Sequence, residues 1–274
     1  GYGVVPLWKA FAKSSNVGIS YKINEHYIKN PSKFLKGIKN LGLGEKIGIK
    51  IKGEGEPYVK TTQDSTWSGI SIPWMSIGYE TRFTPLQILT FYNAVANGGT
   101  MVKPLFVTEI KDGNETIEKF ETEVIKKRIC SKKTIKDAQF LLEKVVEEGT
   151  AHKRKNWKLT IAGKTGTTQN NKDAWFVALT PKLLHLTWVG LDNHEIGFKN
   201  TSLGQGASAA LPLFALWYQK LNQNRKFNNI TKAKFPKPDV TVLDALDCEP
   251  IKRDGFFKRL FKNPNKKKEK KFKN

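Results

Sequence analysis

The sequence predicts an α+β domain, an antiparallel sheet flanked by helices. Three observations carry that expectation. Apolar residues recur at helical spacing before residue 100 and again over 134–148. Three strand-like runs then follow one another, separated by turn sequences, as neighbouring antiparallel strands should be. An apolar segment over 207–221 closes the chain's ordered pattern as a helix that packs on the sheet.

Pro6 stands where a first helical residue would, and Leu7, Ala10 and Phe11 continue at helical steps. Ser14-Ser15-Asn16 is a capping and turn sequence that stops this helix near Lys13. A second helix follows, with Val17 and Tyr21, then Ile19 and Ile23, four residues apart. Residues 41–83 are rich in Gly, Ser, Trp and Pro and read as a long irregular excursion with a β-like piece at 47–51; such excursions are more often functional than idle. Thr84-Pro85-Leu86-Gln87 supplies an N-cap, a Pro at the first position and a Gln at the third, and the helix it opens ends at Asn97-Gly98-Gly99. The helix over 134–148 groups Ala138, Leu141, Leu142, Val145 and Val146 on one side. The strand-like runs are 159–165, 174–179 and 184–191, with turns at 170–173 and 180–182. No internal repeat is visible.

With 274 residues and 39% hydrophobic content, the chain has enough apolar matter for a real core, which excludes wholesale disorder. Cys130 and Cys248 are too few for a disulfide scaffold or, alone, a structural zinc site. His26, His152, His185 and His194 show no metal spacing, and neither a metal nor a cofactor is expected. The longest apolar run, 209–218, is about half a membrane span and contains Pro212. Gly1 falls inside sequence that already reads as structured, with no signal peptide before it, so the chain is expected to be a fragment that starts mid-protein.

The net charge of +22 is uneven. Residues 252–274 hold eleven Lys or Arg against two acids, a net +9 in a low-complexity tail. That tail reads as a solvated end. A membrane-surface anchor is the weaker reading, with Phe256, Phe257, Leu260 and Phe261 dipping in beside lysines that meet anionic headgroups. Specific nucleic-acid binding is not expected, because no binding motif accompanies the charge.

Two motifs carry chemistry. Lys164-Thr165-Gly166-Thr167 ends the first strand of the meander. The ammonium supplies charge and the hydroxyls supply hydrogen bonds, so the set can hold a carboxylate. Gly166 lets a ligand backbone approach the strand, and an N–H beyond it can face a developing oxyanion. In a chain this rich in Lys, Thr and Gly, the tripeptide alone is a weak signal. Ser14-Ser15-Asn16 is weaker still, since an elbow between helices takes Ser and Asn for purely structural reasons. Asp173 reads as a turn residue, His185 as structural, and Trp67, Trp74 and Tyr79 as core packing ahead of cleft lining.

The two motifs together resemble those of the transpeptidase domain of penicillin-binding proteins, a family known by its Ser-x-x-Lys, Ser-x-Asn and Lys-Thr-Gly set. The resemblance covers roughly residues 1–221 and includes Ala10-Phe-Ala-Lys-Ser-Ser-Asn-Val-Gly, Leu41-Gly-Leu-Gly, Ser76-Ile-Gly-Tyr, the long stretch from Thr84 to Gly99, and Ala162-Gly-Lys-Thr-Gly-Thr-Thr. It implies a penicillin-recognising serine transpeptidase or β-lactamase-like fold with its N-terminal part missing. It also implies peptidoglycan DD-transpeptidase chemistry, cell-wall crosslinking by serine acyl transfer, at the extracytoplasmic (periplasmic) face of the bacterial inner membrane. By resemblance, Ser14 relays a proton to or from the leaving group, and Asn16 bonds the acyl donor's backbone and steadies the nucleophile's lysine. Lys164 supplies charge, Thr165 and Thr167 hold the terminal carboxylate of D-Ala-D-Ala or a β-lactam with Gly166 between them, and the Thr167 N–H is half of the oxyanion hole. Stem peptides, β-lactams and cell-wall synthesis proteins are the implied partners.

The family's nucleophile is the Ser of Ser-x-x-Lys, and no serine here has a lysine three residues later. The nucleophile is expected upstream of Gly1, and the chain alone is expected neither to form an acyl-enzyme nor to turn over. Residues 1–163 resemble division-type (class B) members, notably at Gly53-Glu-Gly and Trp67-Ser-Gly-Ile. Residues 168–274 are more similar to bifunctional (class A) members, at Gln169-Asn-Asn-Lys-Asp-Ala-Trp-Phe, Thr187-Trp-Val-Gly and Gly204-Gln-Gly-Ala-Ser-Ala-Ala-Leu-Pro. A junction of two subfamilies near Lys164 is therefore one expectation. The expected organisation is a partial transpeptidase domain over 1–221, an extension over 222–251 and the basic tail over 252–274. The alternative function is a non-catalytic penicillin-recognising sensor or scaffold module.

Overall fold

The computed structural model describes residues 2–152, 161–191, 193 and 195–236; Cys248, His194 and the basic tail lie outside them. The chain opens with α1 (Leu7–Ala12) and α2 (Asn16–Tyr27). Pro6 is the N-cap of α1, one position before its expected place, and its carbonyl accepts from Lys9 and Ala10. A proline lacks the N–H that a cap has no use for, so nothing is lost there. In α2 the expected apolar pair turns outward, Val17 being 80% and Tyr21 64% exposed. α3 (Pro31–Asn40), which apolar spacing did not flag, is opened by Asn30 accepting from Lys33 N–H, with Pro31 in the first turn.

The excursion contains β1 (Tyr58–Val59), α4 (Ser71–Met75) and β2 (Thr81–Arg82), with β1 and β2 antiparallel. Residues 47–51 are not a strand. The N–H groups of Ile47, Gly48 and Ile49 turn onto the Glu54 carboxylate at 2.6, 2.9 and 3.2 Å, which satisfies them locally. α5 (Pro85–Ala96) has the full capping box: Gln87 N–H donates to Thr84 Oγ1 and Thr84 N–H to Gln87 Oε1. β3 (Met101–Val102) pairs with β6 (Val124–Lys126), and between them β4 (Glu109–Asp112) and β5 (Glu115–Lys119) form an exposed hairpin. α6 (Lys132–Glu147) starts from Ser131, whose hydroxyl accepts from Thr134 N–H.

β7 (Ala162–Thr167), β8 (Ala174–Thr180) and β9 (Leu183–Val189) make the expected antiparallel meander in the order β7-β8-β9. Its central strand is covered on both sides, and the period-two alternation divides its side chains between two cores. Val177 and Leu179 pack with Ala94, Val95, Ile135 and Leu142 from α5 and α6. Ala174, Phe176 and Ala178 pack against α9 (Leu211–Gln223) through Phe214 and Tyr218. After a short α7 (Thr201–Gly204), the expected closing helix over 207–221 is in two pieces, α8 (Gly206–Ala209) and α9. Pro212 explains the last break, since it can open a helix but not continue one. After α9 the chain runs through α10 (Asn228–Thr231), whose Thr231 carbonyl accepts from the Tyr218 hydroxyl, and Phe235 enters the α5–α6 core. Among the described residues no helix is long and apolar enough to cross a membrane.

Candidate active site

The elbow between α1 and α2 sorts its three polar residues by task. Ser15 is the cap of α2, its Oγ accepting from Gly18 N–H at 3.2 Å. Ser14 precedes it in a left-handed backbone, φ +52°, a conformation that costs a residue with a Cβ about 1–3 kcal/mol. It is held there by Ser14 N–H to Phe11 O and Ser15 N–H to Ala10 O. Freed from capping, the Ser14 hydroxyl meets Lys164, whose Nζ donates to it at 2.9 Å. Asn16 begins α2, exposed, and among the described residues its side chain has no hydrogen-bond partner.

Lys164 reaches the elbow from β7, 150 residues away in sequence. Its Nζ also donates to Thr165 O at 2.9 Å and lies 6.0 Å from the centre of the Phe11 ring. Burial disfavours the ammonium and brings its pKa down to about 8. The end of α6 joins the two parts: Thr150 N–H donates to Ala12 O, and the Thr150 and Thr165 hydroxyls are 2.7 Å apart. A Cβ on Gly149 would overlap Ala12 O and the Val145 backbone, so only glycine lets α6 approach α1 this closely.

Thr165 is buried, whereas Thr167 is exposed at the end of β7. The Thr167 hydroxyl accepts from Gly206 N–H at 3.1 Å. Gly206 sits against the backbone of Gly166 and Trp175, where a Cβ has no room, so α8 is fixed to the strand that carries the motif.

Asp173 is more than the expected turn residue. It is buried, its carboxylate accepts from Trp188 Nε1 at 2.9 Å and from Thr168 Oγ1 at 3.0 Å, and its N–H donates back to Thr168 Oγ1. This network ties β9 to the turn that follows Thr167, a connection not visible from the order of residues along one strand. His185 packs among Phe214 and Trp217, and burial lowers its pKa. The expected core placement of Trp67, Trp74 and Tyr79 fails: none is buried, and Trp74, 44% exposed, tilts against Tyr79 at 5.4 Å between ring centres. They sit in the Gly- and Ser-rich excursion, which supplies too little apolar surface to enclose them.

A serine on a strained elbow after α1 thus meets a partly buried lysine and two threonines on β7, held together by the end of α6 and by α8. The family described as penicillin binding protein transpeptidase domain matches residues 1–210. The chain belongs to that family. As a penicillin-binding transpeptidase domain it is 36% identical over 144 residues to penicillin-binding protein 1A of Aquifex aeolicus, covering 52% of this chain and 19% of the relative. It is 33% identical over 220 residues to penicillin-binding protein 1F of Bacillus subtilis, 75% of this chain and 28% of the relative. The domain therefore spans under a third of these relatives' length, and its relatives include penicillin-binding proteins of both class A and class B. Its fold matches the D,D-transpeptidase domain of a peptidoglycan glycosyltransferase from Eggerthella lenta, with a TM-score of 0.62 at 23% identity, over 81% of this chain and 55% of that one.

Proposed function

We propose that the domain takes part in peptidoglycan DD-transpeptidation: it binds the D-Ala-D-Ala end of a stem peptide, or a β-lactam in its place, for serine acyl transfer. The observation that carries this reading is the partly buried Lys164 ammonium, 2.9 Å from Ser14 Oγ, on a strand whose next hydroxyls are Thr165 and Thr167.

The chemistry follows from that placement. A serine attacks the penultimate D-Ala carbonyl, the terminal D-Ala leaves as an amine, and an amine of a neighbouring stem peptide then takes the acyl group. The leaving amine needs a proton. Ser14 supplies it and is resupplied through Lys164, whose pKa of about 8 suits an exchange of protons near neutral pH. The protonated Lys164 and the hydroxyls of Thr165 and Thr167 hold the terminal carboxylate, with Gly166 letting it approach. The Thr167 N–H faces the developing oxyanion, and Asn16, exposed and unpartnered among the described residues, bonds the donor's backbone. The edge of β7 that no strand pairs among the described residues offers that backbone a strand to lie against. The working location is the extracytoplasmic (periplasmic) face of the inner membrane, beside other cell-wall synthesis proteins.

The 274 residues contain no Ser-x-x-Lys, so the test compares this chain with the same chain extended upstream by its native residues. Fluorescent penicillin should label the extended form alone, at a fixed stoichiometry that boiling in detergent does not release. Absence of label on both, with both folded, overturns the transpeptidase reading in favour of a non-catalytic recognition or scaffold module.

A further inference from the structure

The two threonines proposed to hold the carboxylate differ in what supports them. A carboxylate only accepts hydrogen bonds, so each hydroxyl must aim its single proton at it and take any protein bond on its oxygen. For Thr167 that is settled by chemistry: its partner is the Gly206 N–H, which can only donate, so the Thr167 proton is left for the ligand. Thr165 has instead a second hydroxyl, Thr150 Oγ1, at 2.7 Å, and either oxygen can be the donor. Were Thr165 to donate to Thr150, its lone pairs would face the carboxylate and repel it.

We propose that Thr150 is a positioning residue of the carboxylate site: it donates its hydroxyl proton to Thr165 and thereby commits the Thr165 proton to the ligand. This rests on the transpeptidase reading above. Thr150 is well placed for the task, because its backbone N–H is fixed to Ala12 O at 3.1 Å and Ala151 N–H to Val145 O at 3.1 Å. Its side chain therefore has a fixed origin between the elbow that carries Ser14 and the strand that carries Lys164. A donated bond also polarises Thr165, so that its own O–H becomes a better donor. The same residue thus links the proton-relay side of the site to the carboxylate side without touching the substrate.

The test uses the native protein that contains this domain and compares benzylpenicillin, which has the carboxylate, with its methyl ester, which lacks the charge. The readout is the second-order rate of covalent labelling. Thr150→Val should slow labelling by the acid about three- to tenfold, the usual worth of one hydrogen bond, and leave the ester rate unchanged. Thr150→Ser should restore the acid-to-ester ratio. An equal fall in both rates makes Thr150 merely structural and overturns the proposal, as does an unchanged ratio. Should Thr150→Val not fold, Thr150→Ala carries the same ratio. A wild-type protein labelled by neither compound overturns the transpeptidase reading and this inference with it; a wild type labelled normally with an unaltered ratio in the variant overturns this inference alone.

Discussion

Ser14 occupies a backbone conformation that its side chain disfavours, at φ +52°, and makes its hydrogen bond to Lys164 from there. The strain and the contact can be separated by substitution. Ser14→Ala and Ser14→Gly both remove the hydroxyl, but only the glycine is at ease in the left-handed region. Ser14→Gly should therefore be the more stable of the two by about 1 kcal/mol in urea unfolding, with neither supporting penicillin labelling of the extended protein. Equal stabilities would mean that the elbow is unstrained. Lys164 gives a second prediction. Burial lowers its pKa from 10.5 to about 8 in the folded protein, so the unfolded chain binds more protons between those values. Stability then rises with pH across that window, and below pH 8 the full cost of burying the charge is present. Lys164→Met removes this dependence. The stability of the wild type relative to Lys164→Met should climb by on the order of 3 kcal/mol between pH 8 and 10.5, and a flat difference would contradict the assigned burial cost.

At the scale of elements, the excursion over 41–83 shows what sequence periodicity misses. Helices α1, α5 and α6 and the meander were legible because they repeat, at 3.6 or at two, and because Thr84, Gln87, Gly98 and Gly99 mark their ends. The excursion has no period; its order comes from polar groups meeting across sequence. Burial raises the Glu54 carboxyl, and three backbone N–H bonds with the Lys46 charge outweigh it, so its pKa falls. Lys60, the residue after β1, donates to Glu80 Oε1 at 2.7 Å and to Thr66 O at 2.9 Å, with only 9% of its side chain exposed. Glu80 precedes β2 at φ +57°, so the pair fastens a strained turn to its neighbouring strand. Removing one partner leaves a buried charge alone. Lys60→Met should cost about 3–5 kcal/mol, and adding Glu80→Leu should recover most of it. A double variant no better than the single one would show that the strained backbone at residue 80, and not the ion pair, sets the stability. The site followed the same rule: Lys164 and Ser14 were readable as motifs, whereas Thr150 and Gly206 became visible only once the fold set them against β7, because neither belongs to a repeating pattern.

At the scale of the molecule, the junction of two subfamilies that the sequence motifs lead one to expect near Lys164 has no counterpart in the core. β7 and β8 pair in unbroken register from Ala162↔Leu179 to Thr167↔Ala174, across the point where a junction would fall. One core cluster mixes Ala94, Val95, Ile135 and Leu142 from before that point with Val177, Leu179 and Phe235 from after it. The other brings Val145 and Ala151 against Phe176, Phe214 and Tyr218. Neither part can therefore lose its structure while the other keeps its core, and a mismatch of volumes at about 1–3 kcal/mol per site would be felt by both. Tryptophans on each side make this measurable: Trp67 and Trp74 lie in the first part, and Trp175, Trp188 and Trp217 in the second. Thermal unfolding followed by tryptophan fluorescence and by far-ultraviolet circular dichroism should give one coincident transition. Phe176→Ala, which empties the space beside Phe214 from the second part, should lower stability by about 3–5 kcal/mol and shift both signals together. Two separated transitions, with only the later one moved by Phe176→Ala, would mean that the chain is two independently folding pieces joined at Lys164, and that its catalytic geometry depends on how they dock.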